Sequence, residues 1–135
     1  MEKLIEAIKE SEGFVPTVYK CTAGYDTIGY GFAVKDLYLD EDISEMILQR
    51  KLSLLAEKVC DKFPFIKDMP EEGQHVVYEM CYQLGLSGFS KFKKTIQFLR
   101  LGSYKSASIE MLDSRWAKEQ TPRRAKRLSE IIREM

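Results

Sequence analysis

The sequence has little histidine and cysteine for its 135 residues. It contains one His, His75, and three cysteines, Cys21, Cys60 and Cys81, none of them in a C-x-x-C pair. Structural zinc sites take four closely spaced ligands, mostly Cys and His, so we predict no metal site and no cofactor. An odd number of cysteines also disfavours a disulfide framework and favours reducing surroundings. Cys60 and Cys81 lie in apolar helical patterns, which predicts that they are small core residues.

Net charge is also absent, because 21 Lys and Arg balance 21 Asp and Glu. Binding of nucleic acid depends on an excess of basic side chains, so we predict no nucleic-acid partner. The charges are unevenly distributed, however. Residues 36–45 carry five acidic side chains and no basic one, whereas residues 115–135 carry seven Lys or Arg and three Glu. Two interpretations stay open: two solvated faces, or a basic surface for an anionic polymer.

Long apolar runs are missing as well. No stretch approaches the roughly 20 apolar residues that a membrane-spanning helix needs, so we expect no stable membrane insertion. The N-terminal "MEKLIEAIKE" is amphipathic and mixed in charge, unlike a signal peptide. A chain of 135 residues is long enough for one domain with its own core, and we predict a single-domain monomer.

The N-terminal region combines a helical pattern with strand patterns. Apolar residues recur at helical spacing at Leu4, Ile5 and Ile8. This stripe, which we expect to be buried, leads to Glu12, and Gly13 is a typical helix terminator. Residues 15–20 and 25–32 predict two strands around the turn "TAGY", and a third short strand is predicted near residues 36–39.

The rest of the chain has helical patterns. Asp40 is a predicted N-cap for a long helix. Its inner stripe is predicted to contain Ile43, Ile47, Leu54 and Leu55. Pro70 begins another helix, which Gly85 and Gly88 are expected to end, and Pro122 begins the last helix.

These patterns predict an α+β fold. A small β-hairpin lobe occupies residues 1–40 approximately, a long connecting helix follows at about 41–62, and a helical lobe covers about 63–135. A cleft between the two lobes is the expected ligand site, because ligand sites in proteins are concave.

Three residues of the N-terminal region are candidates for chemistry: Glu12, Cys21 and Thr27. Burial of a carboxyl group favours its protonated form, which would suit Glu12 as a general acid. Each residue also has an ordinary structural interpretation. Glu12 can cap a helix end or pair with an Arg, Cys21 can fill a small space, and Thr27 is a β-branched strand residue.

The spacing of these residues resembles a family pattern. Glu12, Cys21 and Thr27 match the Glu-x8-Asp/Cys-x5-Thr pattern of phage-type lysozymes, and "TIGYG" resembles the sequence that accompanies it. Downstream, "YQLGLSGFSKF" and "SRWAKEQTPRRAKR" are similar to the C-terminal lobe of these lysozymes. The resemblance covers both ends and most of the middle of the chain, and it implies a lysozyme-like fold.

The resemblance also implies an activity. Phage-type lysozymes are muramidases that hydrolyse the β-1,4 bond between N-acetylmuramic acid and N-acetylglucosamine in bacterial peptidoglycan. Glu12 would be the general acid, and Cys21 and Thr27 would place the attacking water. Cys21 stands where some family members have Asp, and three roles stay open: a thiolate base, a residue that positions the water, or the mark of a lost activity. The alternative function is a weakly active or inactive module that binds peptidoglycan for localisation or scaffolding.

Further residues follow from the resemblance. Tyr82 and Gln83 are expected at the substrate cleft, Arg124 is expected to approach Glu12, and Trp116 is expected to anchor the core of the helical lobe. The family includes phage endolysins. An endolysin without a signal peptide would stay in the host cytoplasm until its release to the cell wall.

Overall fold

The computed structural model describes residues 1–135, which divide into the units Met1–Glu45 and Met46–Met135. The first part of the chain forms α1 (Glu2–Glu12), β1 (Val15–Lys20), β2 (Asp26–Gly29), β3 (Phe32–Ala33) and a 3-10 turn (Val34–Asp36). The helices of the rest are α2 (Glu41–Lys62), a 3-10 helix (Pro64–Asp68), α3 (Glu71–Ser90), α4 (Lys93–Arg100), α5 (Tyr104–Leu112), a π-helical turn (Trp116–Gln120) and α6 (Pro122–Arg133). The predicted α+β class is confirmed.

Helix α1 ends where the sequence predicts. Gly13 has a positive φ of 68°, and its N–H donates to the carbonyl of Lys9 at 2.8 Å. The apolar stripe of α1 is exposed, however, and no residue of this helix is buried. The prediction that Glu12 follows a buried stripe is therefore wrong. Periodicity identifies the apolar face of a helix, but it does not show that another element covers that face.

The sheet is antiparallel, with strand order β1-β2-β3. The bounds of β1 are those predicted, whereas β2 is shorter than predicted and the third strand is not at residues 36–39. Gly29 and Gly31 both have positive φ, near 70°, and this conformation turns the chain so that Phe32 already pairs with Ile28. The segment from Val34 therefore forms a 3-10 turn instead of a strand.

Helix α2 is capped as predicted, since the Asp40 carboxylate accepts a hydrogen bond from the N–H of Ile43 at 2.9 Å. Its predicted inner stripe is only partly correct. The residues Ile43, Ile47 and Leu54 are exposed, and Leu55 is half-buried. The fully buried residues of α2 are Val59 and Cys60, near its C-terminal end.

The second unit contains the hydrophobic core. Its largest fully buried side chains are Phe89, Ile66, Met80, Met111, Leu128 and Ile132. Trp116 is buried and meets the ring of Phe92 edge to face at 5.8 Å, which confirms its predicted place in the core. Cys60 and Cys81 are buried in the same core, also as predicted.

The helices of the second unit differ from the prediction at one point. Gly85 has φ 76° and ψ 160°, which interrupts α3, but helical turns resume after it and continue to Ser90. Gly85 therefore redirects the chain instead of ending the helix. Helix α6 begins at Pro122 as predicted, and Ala125, Leu128 and Ile132 form its buried face. None of the helices has the length and apolar character needed to cross a membrane.

Candidate active site

Cys21 lies at the start of the tight turn that joins β1 to β2. Its N–H donates to the carbonyl of Tyr25 at 2.9 Å, and its carbonyl accepts from the N–H of Gly24 at 2.8 Å. Cys21 is a free cysteine and is half-buried. Backbone N–H groups, first that of Tyr25 and then that of Ala23, lower the pKa of the Cys21 thiol below its ordinary value, although slight burial works in the opposite direction. The turn therefore favours the thiolate.

Thr27 is the neighbour of Cys21 in the site. It lies in the central strand, opposite Tyr19 of β1 and Ala33 of β3, and only 4% of its surface is exposed. Its hydroxyl donates to the carbonyl of Tyr25 at 2.9 Å, and the same hydroxyl contributes to the lowered pKa of Cys21. A hydroxyl has one hydrogen, so Thr27 either keeps its bond to the Tyr25 carbonyl or rotates to donate to the thiolate.

Glu12 is the last residue of α1, and its side chain is exposed. The carboxyl lies against Gly31, in the turn between β2 and β3. The carboxyl therefore does not have the desolvated position that the sequence predicted, but it is open to a substrate. In the chain, β1 separates Glu12 from Cys21, so the acid and the thiol come from opposite ends of that strand.

Asp26 is the nearest carboxylate to Cys21 and Thr27 in the sequence that could replace the family's Asp. It is exposed and forms an ion pair with Lys20, with 2.7 Å between the ammonium nitrogen and the carboxylate oxygen. Adjacent strand residues point to opposite faces, and Asp26 is exposed where Thr27 is buried. Asp26 is therefore not a second carboxylate on the face of Thr27.

In the second unit, Tyr82 and Arg124 line one groove of about 610 Å³. Its other lining residues are Leu48, Leu52, Ser53, Ala56, His75, Tyr78 and Glu79. Tyr82 is about half exposed. The Nε of Arg124 donates to a carboxylate oxygen of Glu79 at 2.7 Å, and Arg127 pairs with the same oxygen.

Sequence analysis missed Glu79. Partial burial opposes its ionisation, but the hydrogen bonds and charges of Arg124 and Arg127 outweigh this effect and lower the pKa of Glu79. Two guanidinium groups share one carboxylate, so this ion cluster keeps a net positive charge. The signal in the sequence is the spacing of Arg124 and Arg127, which places two cations on one face of α6 and calls for an acidic partner.

Gln83 makes contacts within the second unit. Its side-chain oxygen accepts from the indole N–H of Trp116 at 3.0 Å, and its amide nitrogen donates to the hydroxyl of Thr121 at 3.4 Å. These bonds tie α3 to the π-helical turn. The role of Gln83 in substrate binding and the approach of Arg124 to Glu12 both stay predictions. No group of three or more His, Cys, Asp or Glu side chains lies close enough together to hold a metal ion.

Comparisons with known proteins match nearly the whole chain. The sequence model of the family described as phage lysozyme matches residues 9–131. The chain belongs to the phage lysozyme family.

Two curated relatives from Dictyostelium discoideum match this chain over almost their whole length. Probable T4-type lysozyme 1 is 26% identical over 157 aligned positions, with 94% of this chain and 91% of the relative covered. Probable T4-type lysozyme 2 is 22% identical over 161 positions, with 98% and 94% covered.

The matched range, residues 9–131, includes all six candidate residues: Glu12, Cys21, Thr27, Tyr82, Gln83 and Arg124. The resemblance predicted from the three motifs is therefore confirmed at the level of the family. The family match supports a lysozyme-like glycoside hydrolase in general.

Proposed function

We propose that this chain hydrolyses the β-1,4 bond between N-acetylmuramic acid and N-acetylglucosamine in bacterial peptidoglycan. Glu12 is the general acid, and Cys21 with Thr27 activates and orients the attacking water. The observation that carries this proposal is the tight turn at Cys21, which is closed by backbone bonds to Tyr25 and Gly24, is adjacent to Thr27, and has amide groups that lower the pKa of the thiol.

The proposed reaction uses two groups with opposite protonation states. The Glu12 carboxyl donates its proton to the glycosidic oxygen as the bond from that oxygen to the anomeric carbon breaks. Positive charge develops on the sugar ring, and water attacks the anomeric carbon. The Cys21 thiolate accepts a proton from this water, while the Thr27 hydroxyl holds the water by a hydrogen bond. Glycosidases that invert the anomeric centre use a second carboxylate as this base.

The low pKa of Cys21 matters because an ordinary thiol is a poor base at neutral pH. With its ordinary pKa of about 8.5, a cysteine is only a few per cent thiolate at pH 7. Donors that stabilise the anion increase this fraction. The reaction then requires Glu12 protonated and Cys21 deprotonated, so the rate should pass through a maximum as pH rises.

Tyr82 and Arg124 are proposed to bind substrate through the groove of the second unit. The groove combines an aromatic ring with an ion cluster of net positive charge. Peptidoglycan offers matching groups, since its sugars have apolar ring faces and its peptide stems carry carboxylates. Arginine is well suited to carboxylates because its guanidinium group donates two parallel hydrogen bonds.

The experiment that tests the function is digestion of purified, insoluble peptidoglycan with mass spectrometry of the soluble products. Hydrolysis as proposed releases fragments with N-acetylmuramic acid at the reducing end, and the Glu12→Gln variant releases none. Sedimentation with the same peptidoglycan measures binding. Sedimentation without any product, from a folded wild-type protein, would instead establish the alternative of a binding module. Products with a different reducing-end sugar would contradict the assigned bond.

A further inference from the structure

We propose that Gly31 is a positioning residue for Glu12, because its missing side chain provides the space that the Glu12 carboxyl occupies. The proposal rests on the role of Glu12 as the general acid. It adds a requirement that the pattern Glu12, Cys21 and Thr27 does not contain, since the residue after Tyr30 must be a glycine for the acid to keep its place.

The geometry at Gly31 carries the proposal. A Cβ atom built on Gly31 would lie 2.7 Å from Cδ of Glu12 and 3.2 Å from its Cγ. Real Cβ atoms essentially never approach another heavy atom closer than 3.0 Å. Any side chain at this position would therefore compete with the carboxyl for the same space.

The backbone alone does not explain this glycine. Gly31 has φ +73°, a conformation that side chains other than glycine adopt at a cost. Gly102, between α4 and α5, has the same φ of +73°, yet a Cβ built on it meets nothing within 4 Å. The two glycines share their backbone requirement, and only Gly31 has a carboxyl in the space beside it.

Neighbouring contacts hold Glu12 against this turn. The rings of Phe14 and Tyr30 lie 5.3 Å apart, and the ammonium group of Lys9 lies 5.5 Å from the Tyr30 ring centre. Lys9 and Phe14 flank Glu12 in the chain, and Tyr30 precedes Gly31. The end of α1 is thus attached to the β2–β3 turn on both sides of the acid. When an alanine replaces Gly31, the helix end cannot retreat freely, so the carboxyl itself must move.

A double-mutant cycle on thermal stability tests this contact without using the activity. We expect Gly31→Ala to lower the unfolding midpoint slightly more in the wild-type background than in the Glu12→Ala background, because the new methyl group displaces the end of the flexible, exposed Glu12 side chain only where that carboxyl is present. Gly102→Ala, which has the same backbone strain, should lower the midpoint equally in both backgrounds. An equal loss for Gly31→Ala in both backgrounds, including failure to fold in both, would overturn the proposal.

Kinetics on peptidoglycan test the consequence for catalysis. A displacement of a catalytic group by about 1 Å can cost on the order of 10²-fold in rate. We therefore expect Gly31→Ala to lower kcat by that order with KM changed less than threefold, and Gly102→Ala to leave both within twofold. A Gly31→Ala variant with the kcat of Gly102→Ala would contradict the positioning role. If the wild type releases no product, the proposed function fails, and the stability cycle still decides whether Gly31 makes space for Glu12.

Discussion

The two units of the chain differ in how much of their apolar surface they bury. In the first unit, residues Met1–Glu45, only Thr27 and Gly29 are buried, and every large apolar side chain is exposed or half-buried. In the second unit, residues Met46–Met135, nineteen hydrophobic residues form one buried core. Burial of apolar surface is the main source of stability, so the second unit carries most of the folding free energy. The three candidate residues Glu12, Cys21 and Thr27 all lie in the unit that buries less apolar surface.

The two units also differ in charge. The first contains ten Asp and Glu against four Lys, whereas the second contains seventeen Lys and Arg against eleven Asp and Glu. The zero net charge of the whole chain is therefore the sum of −6 on the first unit and +6 on the second. A neutral total argues against bulk electrostatic binding only when the charge is evenly spread. The basic excess of the second unit leaves both interpretations of its C-terminal segment open: a solvated face, or a basic surface for an anionic polymer.

The cysteines of the two units also lie in different surroundings. Cys21 of the first unit is half-buried among N–H donors, which lower the pKa of its thiol. Cys81 of the second unit is buried among apolar side chains, and this burial raises the pKa of its thiol to about 12. One environment favours the reactive thiolate and the other suppresses it. Environment, and not residue type, thus separates a candidate catalytic cysteine from a packing cysteine.

The largest expected effect is on catalysis in the first unit. Glu12→Gln removes the proton that the leaving oxygen needs while it keeps the size of the side chain, so we expect the rate to fall on the order of 10²–10⁴-fold. The measurement is the release of reducing ends from peptidoglycan. The matched control is Glu10→Gln, an exposed acid of the same helix, and it should retain the wild-type rate. A Glu12→Gln rate within a few fold of wild type would remove Glu12 from the mechanism.

The next effect concerns stability and compares the same substitution in both units. Leu128→Ala removes a side chain that is 1% exposed in the core, and we expect a loss of about 2–5 kcal/mol in the free energy of unfolding. Leu4→Ala changes a side chain that is 53% exposed, and we expect a loss below about 1 kcal/mol. Denaturant unfolding measures both. Equal losses would show that the exposed stripe of α1 is covered in solution and would remove the contrast between the units.

The fold could be predicted from the sequence where local signals decide the structure. Gly13, the strand at residues 15–20, the Asp40 cap and Pro122 all act through neighbouring backbone groups, and the structure confirms them. The burial of the stripes in α1 and α2 could not be predicted, because burial depends on which distant element covers a face. The third strand was misplaced because the positive φ values at Gly29 and Gly31 turn the chain earlier than the apolar pattern indicates.

Some features of the candidate site could also be predicted from the sequence, and others could not. Spacing identified Glu12, Cys21 and Thr27, and the Thr27 hydroxyl contributes to the lowered pKa of Cys21. The turn amides around Cys21 could not be found from residue types, because any residue can supply a backbone N–H. Glu79 was missed because its partners are about 45 residues away in the sequence.

A smaller effect distinguishes the two cysteines. Cys21→Ala removes the proposed base, and we expect the rate to fall about tenfold or more, while Cys21→Asp keeps a base that is ionised at pH 7 and should retain the rate. Cys81→Ala should change stability and leave the rate of the folded enzyme unaffected. Peptide mass spectrometry after brief iodoacetamide treatment should show label on Cys21 well before Cys81. Equal rates for wild type, Cys21→Ala and Cys21→Asp would make Cys21 a packing residue.

The pH dependence sharpens this prediction. The Thr27 hydroxyl helps to lower the pKa of Cys21, so Thr27→Val should raise that pKa. The thiolate form is required for the reaction, and the acidic side of the pH–rate profile should therefore move to higher pH. In the Cys21→Asp background, Thr27→Val should not produce this shift at neutral pH. If Thr27→Val leaves the acidic side of the pH–rate profile unchanged in the wild-type background, Thr27 does not influence the pKa of Cys21.

The smallest expected effect lies in the second unit, at the ion cluster of Glu79 with Arg124 and Arg127. The folded protein lowers the pKa of Glu79 below its unfolded value, so the pair stabilises the fold above the unfolded pKa, and this contribution is lost as pH falls through the folded pKa. Both partners are about one-third exposed, so solvent screening limits the effect of Arg124→Ala to about 0–1 kcal/mol at pH 7.

Arg123→Ala, at an exposed neighbouring position, is the control and should lower the free energy of unfolding by less. Urea unfolding at pH 7 and at pH 2.5 measures the difference between the two variants. The difference should shrink at the lower pH, because the contribution of the charged pair is lost as pH falls toward and through the folded pKa of Glu79. A difference that stays the same at both pH values would show that Arg124 stabilises the groove through its aliphatic stem and not through the charge of Glu79.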